Sequence, residues 1–314
     1  MRRLLELFMA IVLLCAITAC AKKGALAGDV QTVKIAYLPI THALPVFELE
    51  EMLQTENGNI KVELIKYGSW PELLDALNTS RIEGASVLIE LAMKAKENGM
   101  PLKAVTLGHK DGNVIVVAND ISSPQDLKGK TFAIPHRQSS HNILMQDMLD
   151  RAGINIADLN IVELPPPEMP SALANGQIAG YCVAEPFGAR SVAIGTGKVL
   201  FESNELWPDS LCCGLVLTDT FISGKNETAK FIIKKYNEAG NLLEASEASR
   251  IAKKYLDIDD QVLDLSLQWI SYNDLELSEA AYNVLSERVK KYGLSDNPPS
   301  FTEFVYTEFV HKDN

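Results

Sequence analysis

The sequence is poor in the features that would assign a function at once. Only five of its 314 residues are cysteine, and no two have the C-x-x-C spacing of a zinc knuckle or a thioredoxin-type site, so a disulfide scaffold is excluded. Positive charge is also scarce. The chain has 29 Lys and Arg against 41 Asp and Glu, and the formal charge of −12 argues against nucleic acid or anionic lipid as a general partner.

The common signatures of enzymes are missing as well. The chain contains no G-x-S-x-G elbow, no Walker A loop, no G-x-G-x-x-G after a strand and no H-E-x-x-H. After residue 20 it has no apolar run near the roughly 20 residues that a membrane-spanning helix needs. We therefore expect no catalysis, no cofactor and no nucleic-acid partner.

The first twenty residues have the pattern of a bacterial lipoprotein signal. Two arginines near the start are followed by an almost wholly apolar run over residues 8–17, and small residues precede a cysteine in Ile17-Thr18-Ala19-Cys20. This pattern resembles a lipobox, which predicts a signal peptide over residues 1–19 and a lipid on Cys20. A plain signal peptide, with Cys20 incidental, is the alternative.

Beyond a small, polar tether over residues 20–31, strands alternate with helices. The predicted strands are 33–38, 60–67, 85–89, 102–107, 113–118, 131–134, 160–164 and 178–183. Strands separated by helices indicate parallel β-α-β units, so the predicted fold class is α/β. The pattern restarts after residue 119, and residues 225–314 are almost entirely helical.

Four short segments, in this order, resemble the periplasmic binding proteins of ABC importers. The branch they resemble includes nitrate, bicarbonate, sulfonate, taurine and thiamine-precursor binders. The segments are 33–39 (VKIAYLP), 126–131 (DLKGKT), 172–180 (ALANGQIAG) and 185–186 (EP).

This resemblance covers residues 32–310 and implies the type II binding-protein fold. In that fold two α/β lobes enclose a ligand cleft. Lobe 1 would comprise residues 32–118 and 217–314, with the helical C-terminal region packed on it. Lobe 2 would comprise residues 119–216.

Ligands of such sheets bind at the carboxyl ends of strands, where loops and helix N-termini meet. The residues that follow predicted strands are therefore candidate ligand contacts. They are Thr41, His42, Ser69, Trp70, Glu90 and His109 in lobe 1, and His136, Ser139, Ser140, His141, Asn142 and Glu185 in lobe 2.

The segment from His136 to Asn142 opens a predicted helix. Its backbone N–H groups, hydroxyls and imidazoles can hold an anion without any net positive charge. Helix capping is the structural alternative for Ser139 and Ser140, as it is for Ser69 ahead of an earlier helix. For Glu185 the alternative is an N-cap or a salt bridge at the hinge.

Two positions depart from the nitrate and bicarbonate binders that the chain resembles. Those proteins have a Glu-Pro-Trp segment, and a Trp-Pro segment that leads to an anion-binding Lys. Here Phe187 stands in place of the first Trp, and Cys213 stands in place of the Lys. Both departures argue against nitrate as the ligand.

Three interpretations of Cys212 and Cys213 stay open. Adjacent cysteines rarely bond to each other. They are buried apolar residues that lead into a strand, or one of them pairs with Cys182, or a thiol joins the cleft histidines to bind a soft metal such as Zn²⁺ or Cu⁺. The metal set would be His42, His136, His141 and Cys213.

The favoured hypothesis is a monomeric solute-binding protein, anchored by lipid on the extracytoplasmic side of the membrane. It would capture a small molecule, either a small anion or a sulfonate-like solute, and deliver it to an ABC permease and its ATPase subunit. A binding protein for a transition metal or a metal complex is the alternative.

The lipobox predicts that Cys20 carries the anchor. Serine offers no thiol for lipid transfer, so Cys20→Ser should move the protein from the membrane fraction to the soluble fraction, which immunoblotting of fractionated cells would show. Cys15→Ser changes a cysteine within the apolar run and is the matched control, which should stay in the membrane. Unchanged retention of Cys20→Ser would contradict a lipid on Cys20.

Overall fold

A computed structural model describes residues 30–56 and 58–309 of the chain. The predicted signal peptide, Cys20 and most of the predicted tether lie outside the described residues. The strands are β1 (Gln31–Tyr37), β2 (Ile60–Lys66), β3 (Gly84–Leu88), β4 (Leu102–Leu107), β5 (Lys110–Asp111), β6 (Asn113–Ala118), β7 (Thr131–Ile134), β8 (Asn160–Glu163), β9 (Gly180–Ala184), β10 (Gly197–Glu202), β11 (Cys213–Thr218) and β12 (Ile270–Ser271).

The helices connect these strands and then form the C-terminal part of the chain. The α-helices are α1 (Leu44–Thr55), α2 (Trp70–Asn78), α3 (Ile89–Glu97), α4 (Ser140–Ala152), α5 (Met169–Ala174), α6 (Phe187–Ala193), α7 (Ser203–Leu206), α8 (Asp219–Gly224), α9 (Asn226–Leu242), α10 (Ala245–Leu256), α11 (Asp260–Ser266), α12 (Glu279–Lys291) and α13 (Phe301–Phe304). Short 3-10 helices span Thr41–Ala43, Pro124–Leu127, Ile156–Asp158, Pro166–Glu168 and Thr307–Phe309. No helix among the described residues is long and apolar enough to cross a bilayer.

The first sheet has the strand order β2-β1-β3-β11-β4. β1 pairs in parallel with β2 and β3, whereas β11 arrives from far along the chain and pairs antiparallel with β3 and β4. Every residue of β3 and of β11 is buried, as expected for central strands of a covered sheet.

The second sheet has the strand order β10-β6-β9-β7-β8. β7 pairs in parallel with β8 and β9, and β6 is antiparallel to β9 and β10. The predicted α/β class is therefore confirmed, with antiparallel strands added to the parallel β-α-β pairs. The part of the chain built on the first sheet is called lobe 1 below, and the part built on the second sheet is called lobe 2.

The chain passes between the two sheets twice. The first passage runs from Leu107, at the end of β4, to Asn113, at the start of β6. The second passage runs from Glu202, at the end of β10, to Cys213, at the start of β11. Both passages come earlier in the chain than residues 118 and 216, where the sequence pattern puts the lobe boundaries. The pattern shows where a strand ends, but it does not show which sheet the strand joins.

The C-terminal helices pack mainly on lobe 1. α9 packs against α1, and α13 packs against β4. Two helices also reach lobe 2. α11 packs against α6, and Arg288 of α12 forms an ion pair with Asp147 of α4.

α6 and β10 of lobe 2 are missing from the sequence prediction, and one predicted cap is wrong. α6 is a short, largely buried helix, so it lacks the polar face that produces a helical period, and β10 follows it directly. Ser69 precedes α2 but its side chain makes no capping hydrogen bond, so the predicted capping box is wrong. Ser139 does cap α4, because its side chain accepts the N–H of Asn142.

Glu185 joins the two lobes at the end of β9. Its backbone oxygen accepts the N–H and the hydroxyl of Thr41, at 2.9 and 3.1 Å. Its carboxylate Oε2 accepts the N–H of Ala189 at 3.0 Å and the hydroxyl of Ser266 at 2.9 Å. Burial raises the pKa of Glu185 to about 8, although these two hydrogen bonds act to lower it.

This raised pKa predicts a pH-dependent stability. The folded state holds the proton of Glu185 up to about pH 8, whereas the unfolded chain releases it near pH 4.5, so the free energy of unfolding should fall as pH rises between these values. Glu185→Gln, which stays neutral, should lose less stability over that range, with a difference on the order of a few kcal/mol. Urea unfolding at several pH values would measure this, and equal slopes for the two proteins would contradict it.

Candidate functional site

Four buried side chains meet where the two passages between the sheets approach the loop after β1. They are His42, His109, Cys212 and Cys213, and their potential ligand atoms all lie within 4.8 Å of one another. Each of the four residues is at most 1% exposed. His42 lies on the 3-10 helix after β1, His109 lies on the first passage, and the two cysteines end the second. This set is called the His–Cys cluster below.

Backbone contacts hold the passages close to the loop. The N–H of Gly108 donates to the carbonyl oxygen of Cys213 at 2.8 Å, which ties the first passage to the second. A Cβ atom at Gly108 would lie 2.8 Å from the backbone oxygen of His42, so a side chain here would push the loop away. The rings of His42 and His109 face each other, with centroids 3.5 Å apart.

The ring of His42 is held in one tautomer. Its Nε2 lies 2.9 Å from the backbone oxygen of Gly112, and a carbonyl oxygen can only accept, so Nε2 carries the hydrogen. Nδ1 is then the nitrogen with the free lone pair. It lies 3.6 Å from Sγ of Cys212 and 3.5 Å from Sγ of Cys213. This is the arrangement of a metal-binding histidine, whose second nitrogen donates to a carbonyl group.

The distances within the cluster match a tetrahedral metal site. Bonds of about 2.3 Å to sulfur and about 2.0–2.1 Å to nitrogen place two sulfur ligands about 3.8 Å apart, and a sulfur and a nitrogen about 3.6 Å apart. The Sγ atoms of Cys212 and Cys213 are 3.8 Å apart, and Nδ1 of His42 lies 3.5 and 3.6 Å from them. These three atoms therefore form one face of such a site.

His109 is the less well-placed fourth member. Its Nε2 accepts the backbone N–H of Cys213 at 3.3 Å, and its Nδ1 has no hydrogen-bond partner among the described residues. Burial, followed by the neighbouring His42, lowers the pKa of His109 to about 4. The ring is therefore neutral near pH 7, and its single lone pair lies on Nε2, so His109 would bind a metal only by giving up the hydrogen bond from Cys213.

The two thiols differ in acidity. Burial alone would raise the pKa of Cys212, but the hydrogen bond from Cys213 is the largest of the effects that bring it well below the usual range. Burial, the hydrogen bond to Cys212 and the negative charge on Cys212 raise the pKa of Cys213 well above the usual range. Cys212 is therefore the more acidic of the two thiols.

Glu90 and His141 flank the cluster, and their side chains have no hydrogen-bond partners among the described residues. Glu90 lies in the first turn of α3 and is 2% exposed, while His141 lies in the first turn of α4 and is 1% exposed. Neither carboxylate oxygen of Glu90 and neither ring nitrogen of His141 has a hydrogen-bond partner among the described residues. The N–H of Ser140 is close enough to act on Glu90 without completing such a bond.

The surroundings of these two groups shift their pKa values in opposite directions. Burial and the charge on Cys212 raise the pKa of Glu90 well above its ordinary range. Burial lowers the pKa of His141 to about 4. Both groups therefore favour their neutral forms in the absence of a ligand.

Three other candidate residues have the following surroundings. Trp70 is 2% exposed, packs in the hydrophobic core, and its Nε1 has no partner among the described residues. His136 lines a pocket of about 460 Å³ between lobe 2 and helices α2 and α3, and its Nδ1 accepts the N–H of Gln138. Asn142 donates to the backbone oxygen of Arg137 at 2.8 Å.

The metal set proposed from the sequence and the observed cluster share two members, His42 and Cys213. The cluster contains His109 and Cys212, whereas the predicted set contains His136 and His141. Cys182, Cys212 and Cys213 are all free thiols, so the interpretation that Cys182 forms a disulfide with one of the other two is wrong. The sequence does place His109 after a strand, but it does not show that the second passage brings two thiols beside it.

Comparison with known proteins identifies the family. Residues 27–257 match the model of the NMT1-like family, so the chain belongs to that family. The ligand-binding component of an ABC-type import system from Staphylococcus aureus, solved with zinc bound, is 37% identical with a TM-score of 0.84, and the match covers 88% of this chain and 96% of that one.

Two further relatives place the chain among the binders that its motifs resemble. The nitrate-binding protein NrtA from Synechocystis PCC 6803 has a TM-score of 0.77 at 18% identity, over 85% of this chain and 83% of that one, which shows likeness of fold alone. The taurine-binding periplasmic protein of Escherichia coli K12 is 28% identical over 55% of this chain and 54% of its own length. The predicted two-lobe periplasmic-binding-protein fold and the predicted resemblance are confirmed.

The match to curated proteins is partial in length. The chain spans 54% of the taurine-binding protein and 29% of the nitrate import ATP-binding protein NrtC of Synechocystis, with which it is 27% identical over 55% of its own length. These relatives are described as binding or transport proteins rather than as enzymes.

The difference in acidity between the two thiols predicts the order in which they titrate in the metal-free protein. As pH rises, Cys212→Ala should remove the first step of the ultraviolet thiolate absorbance, because the pKa of Cys212 is shifted downward. Cys182→Ala is the matched control, since burial keeps the pKa of Cys182 well above its ordinary range. Equal losses of absorbance in the two variants would contradict this assignment.

Proposed function

We propose that this protein is the solute-binding component of an ABC import system and that its cargo is a transition metal ion, with Zn²⁺ as the best fit. The observation that carries the proposal is the His–Cys cluster, whose two sulfurs and His42 nitrogen already have the spacing of tetrahedral ligands. A related binding component from Staphylococcus aureus, solved with zinc bound, supports it.

The ligand types favour a borderline or soft metal. Thiolates and imidazoles suit Zn²⁺ and Cu⁺, whereas Mg²⁺, Ca²⁺ and Mn²⁺ prefer carboxylate, carbonyl and water oxygens. The cluster consists of two cysteines and two histidines, and no carboxylate is among its four members. Hard cations are therefore poor candidates for this site.

Charge balance favours a divalent ion. The pKa of His109 is about 4, so that ring is neutral near pH 7, and two thiolates then carry the whole charge of the ligand set. Two negative sulfurs balance the two positive charges of Zn²⁺, which leaves a buried centre without net charge. A monovalent ion such as Cu⁺ would leave an uncompensated negative charge in a site from which water is excluded.

The physiological role follows the class of protein. The binding component would hold its ion on the extracytoplasmic side, attached by the lipid predicted on Cys20, and would present it to a permease driven by an ATPase subunit. The protein would act as a monomer and would carry out no chemistry on its cargo. We propose these partners and this location from the relatives and from the lipobox.

A small anion is the second candidate ligand, and one feature of α4 favours it. At the N-terminus of this helix the hydroxyl of Ser140 and both ring nitrogens of His141 have no hydrogen-bond partners among the described residues. Donors at a helix N-terminus are suited to an oxyanion or a sulfonate group. The carboxyl group of Glu90 lies against the same helix turn, however, which disfavours a further negative charge there.

Removal of one ligand tests the metal proposal. Cys213→Ser and His42→Ala should each weaken zinc binding by at least about 100-fold, since loss of an outer contact alone costs about 10–100-fold. Competition with a chromophoric chelator measures this. Cys182→Ser, which changes a buried cysteine outside the cluster, is the control and should bind zinc as the wild type does. Equal affinity in all three variants would refute the proposal.

The pH dependence separates the two candidate ligands. Protons compete with a metal for thiolate sulfur, so zinc affinity should fall as pH decreases from about 7 to about 5. An anion should instead bind more tightly as pH approaches 4, where His141 gains its proton, and Ser140→Ala with His141→Ala should abolish that gain. Isothermal titration with zinc, and separately with nitrate and taurine, would decide between them.

A further inference from the structure

Lobe 2 presents one side chain to the His–Cys cluster whose position is otherwise unexplained. His141 is 1% exposed, and neither of its ring nitrogens has a hydrogen-bond partner among the described residues. It interacts electrostatically with Cys212, His42 and His109. An imidazole that is buried without a partner destabilises the state in which it is buried, so native proteins seldom leave one in that condition.

The four members of the cluster all come from one side of the cleft. His42 follows a strand of lobe 1, His109 lies on the first passage, and the two cysteines lead from the second passage into a strand of lobe 1. None of these four residues belongs to the body of lobe 2. A ligand can shift an equilibrium between open and closed lobes only if it binds the two states differently. A metal held by the cluster alone would make no direct contact with the body of lobe 2.

We propose that His141 is the contact between lobe 2 and the bound metal ion, through which capture of the ion on the His–Cys cluster closes the lobes. The inference rests on the proposed metal-binding function. A ring nitrogen of His141 would bind the ion as a fifth ligand, or would replace His109, whose Nε2 is already engaged by the N–H of Cys213. Zinc accepts four ligands, and five in some sites.

The same geometry makes closure depend on the ion. When the lobes come together without a metal, His141 loses its hydrogen bonds to water and gains none in return. Glu90, on the lobe 1 side, is likewise buried without a hydrogen-bond partner among the described residues. The empty protein therefore favours open lobes, and the ion removes the penalty at His141. An apolar side chain at position 141 would remove the same penalty without any ion.

Small-angle scattering combined with cobalt spectroscopy tests this inference. Co²⁺ stands in for zinc, and its thiolate charge-transfer absorption reports binding to Cys212 and Cys213. We expect Co²⁺ to decrease the radius of gyration of the wild type. His141→Leu should keep the charge-transfer band, should be more compact than the wild type before Co²⁺ is added, and should not become more compact afterwards. Gln146→Leu makes a similar change further along α4 and should behave as the wild type does.

Each outcome has one meaning. If His141→Leu compacts with Co²⁺ as much as the wild type does, or if it loses the charge-transfer band, the inference is wrong. His141→Gln keeps a polar side chain and serves if the leucine variant does not fold. The radius of gyration of this variant should stay at the value of the metal-free wild type, with and without Co²⁺, while the charge-transfer band is retained. A decrease of its radius of gyration on addition of Co²⁺ would also overturn the inference. A wild type without any charge-transfer band would instead refute the proposed metal function itself.

Discussion

The hydrogen bond from His42 Nε2 to the backbone oxygen of Gly112 determines the chemistry of this site. It connects the loop after β1 to the first passage between the sheets, and it decides which ring nitrogen keeps a free lone pair. Because Nε2 is committed to a carbonyl group, Nδ1 is left facing both sulfurs, at distances that a tetrahedral metal would impose. Without that bond the ring could turn, and the two thiols would face a donor instead of an acceptor.

Burial gives the cluster its electrostatic character. The central strand β11 is buried along its whole length, and Cys213 is its first residue, so the thiols lie away from water, beside His42 and Asn113. In such surroundings a charge is stable only beside an opposite charge or strong donors. The opposite shifts of the pKa values of Cys212 and Cys213 follow from this constraint, since two adjacent buried thiolates would repel each other until a cation binds between them.

The fold was largely predictable from the sequence because its strands and helices have clear periods. The strands 102–107, 113–118 and 131–134 are predicted with the bounds that the structure has. The errors come from tertiary effects: α6 is too buried to show a polar face, and no local pattern reveals that Asn113–Ala118 joins the second sheet. The rule that ligands gather at the ends of strands selected His42, Glu90, His109 and His141, which do lie together.

The composition of the cluster was harder to predict. Which histidines contact the thiols depends on where β11 inserts, and β11 is separated from β3 and β4 by more than a hundred residues along the chain. His136 and His141 are neighbours in sequence, yet one lines a pocket between the lobes and the other is fully buried. His136 lies in the loop before α4 and His141 lies in the first turn of that helix, and sequence spacing does not show that this difference buries only one of them.

The location of the cluster on the passages between the sheets adds a second link between metal binding and the lobes, beside the proposed contact of His141. His109 and Cys212 lie on the two segments that connect the sheets. An ion bound to them would hold these two segments together. Backbone hydrogen bonds such as that from Gly108 to Cys213 couple the two passages, so a shift of either one changes the distances between ligand atoms. In the proposed function, metal affinity and lobe orientation would therefore be linked, because the same backbone segments define both.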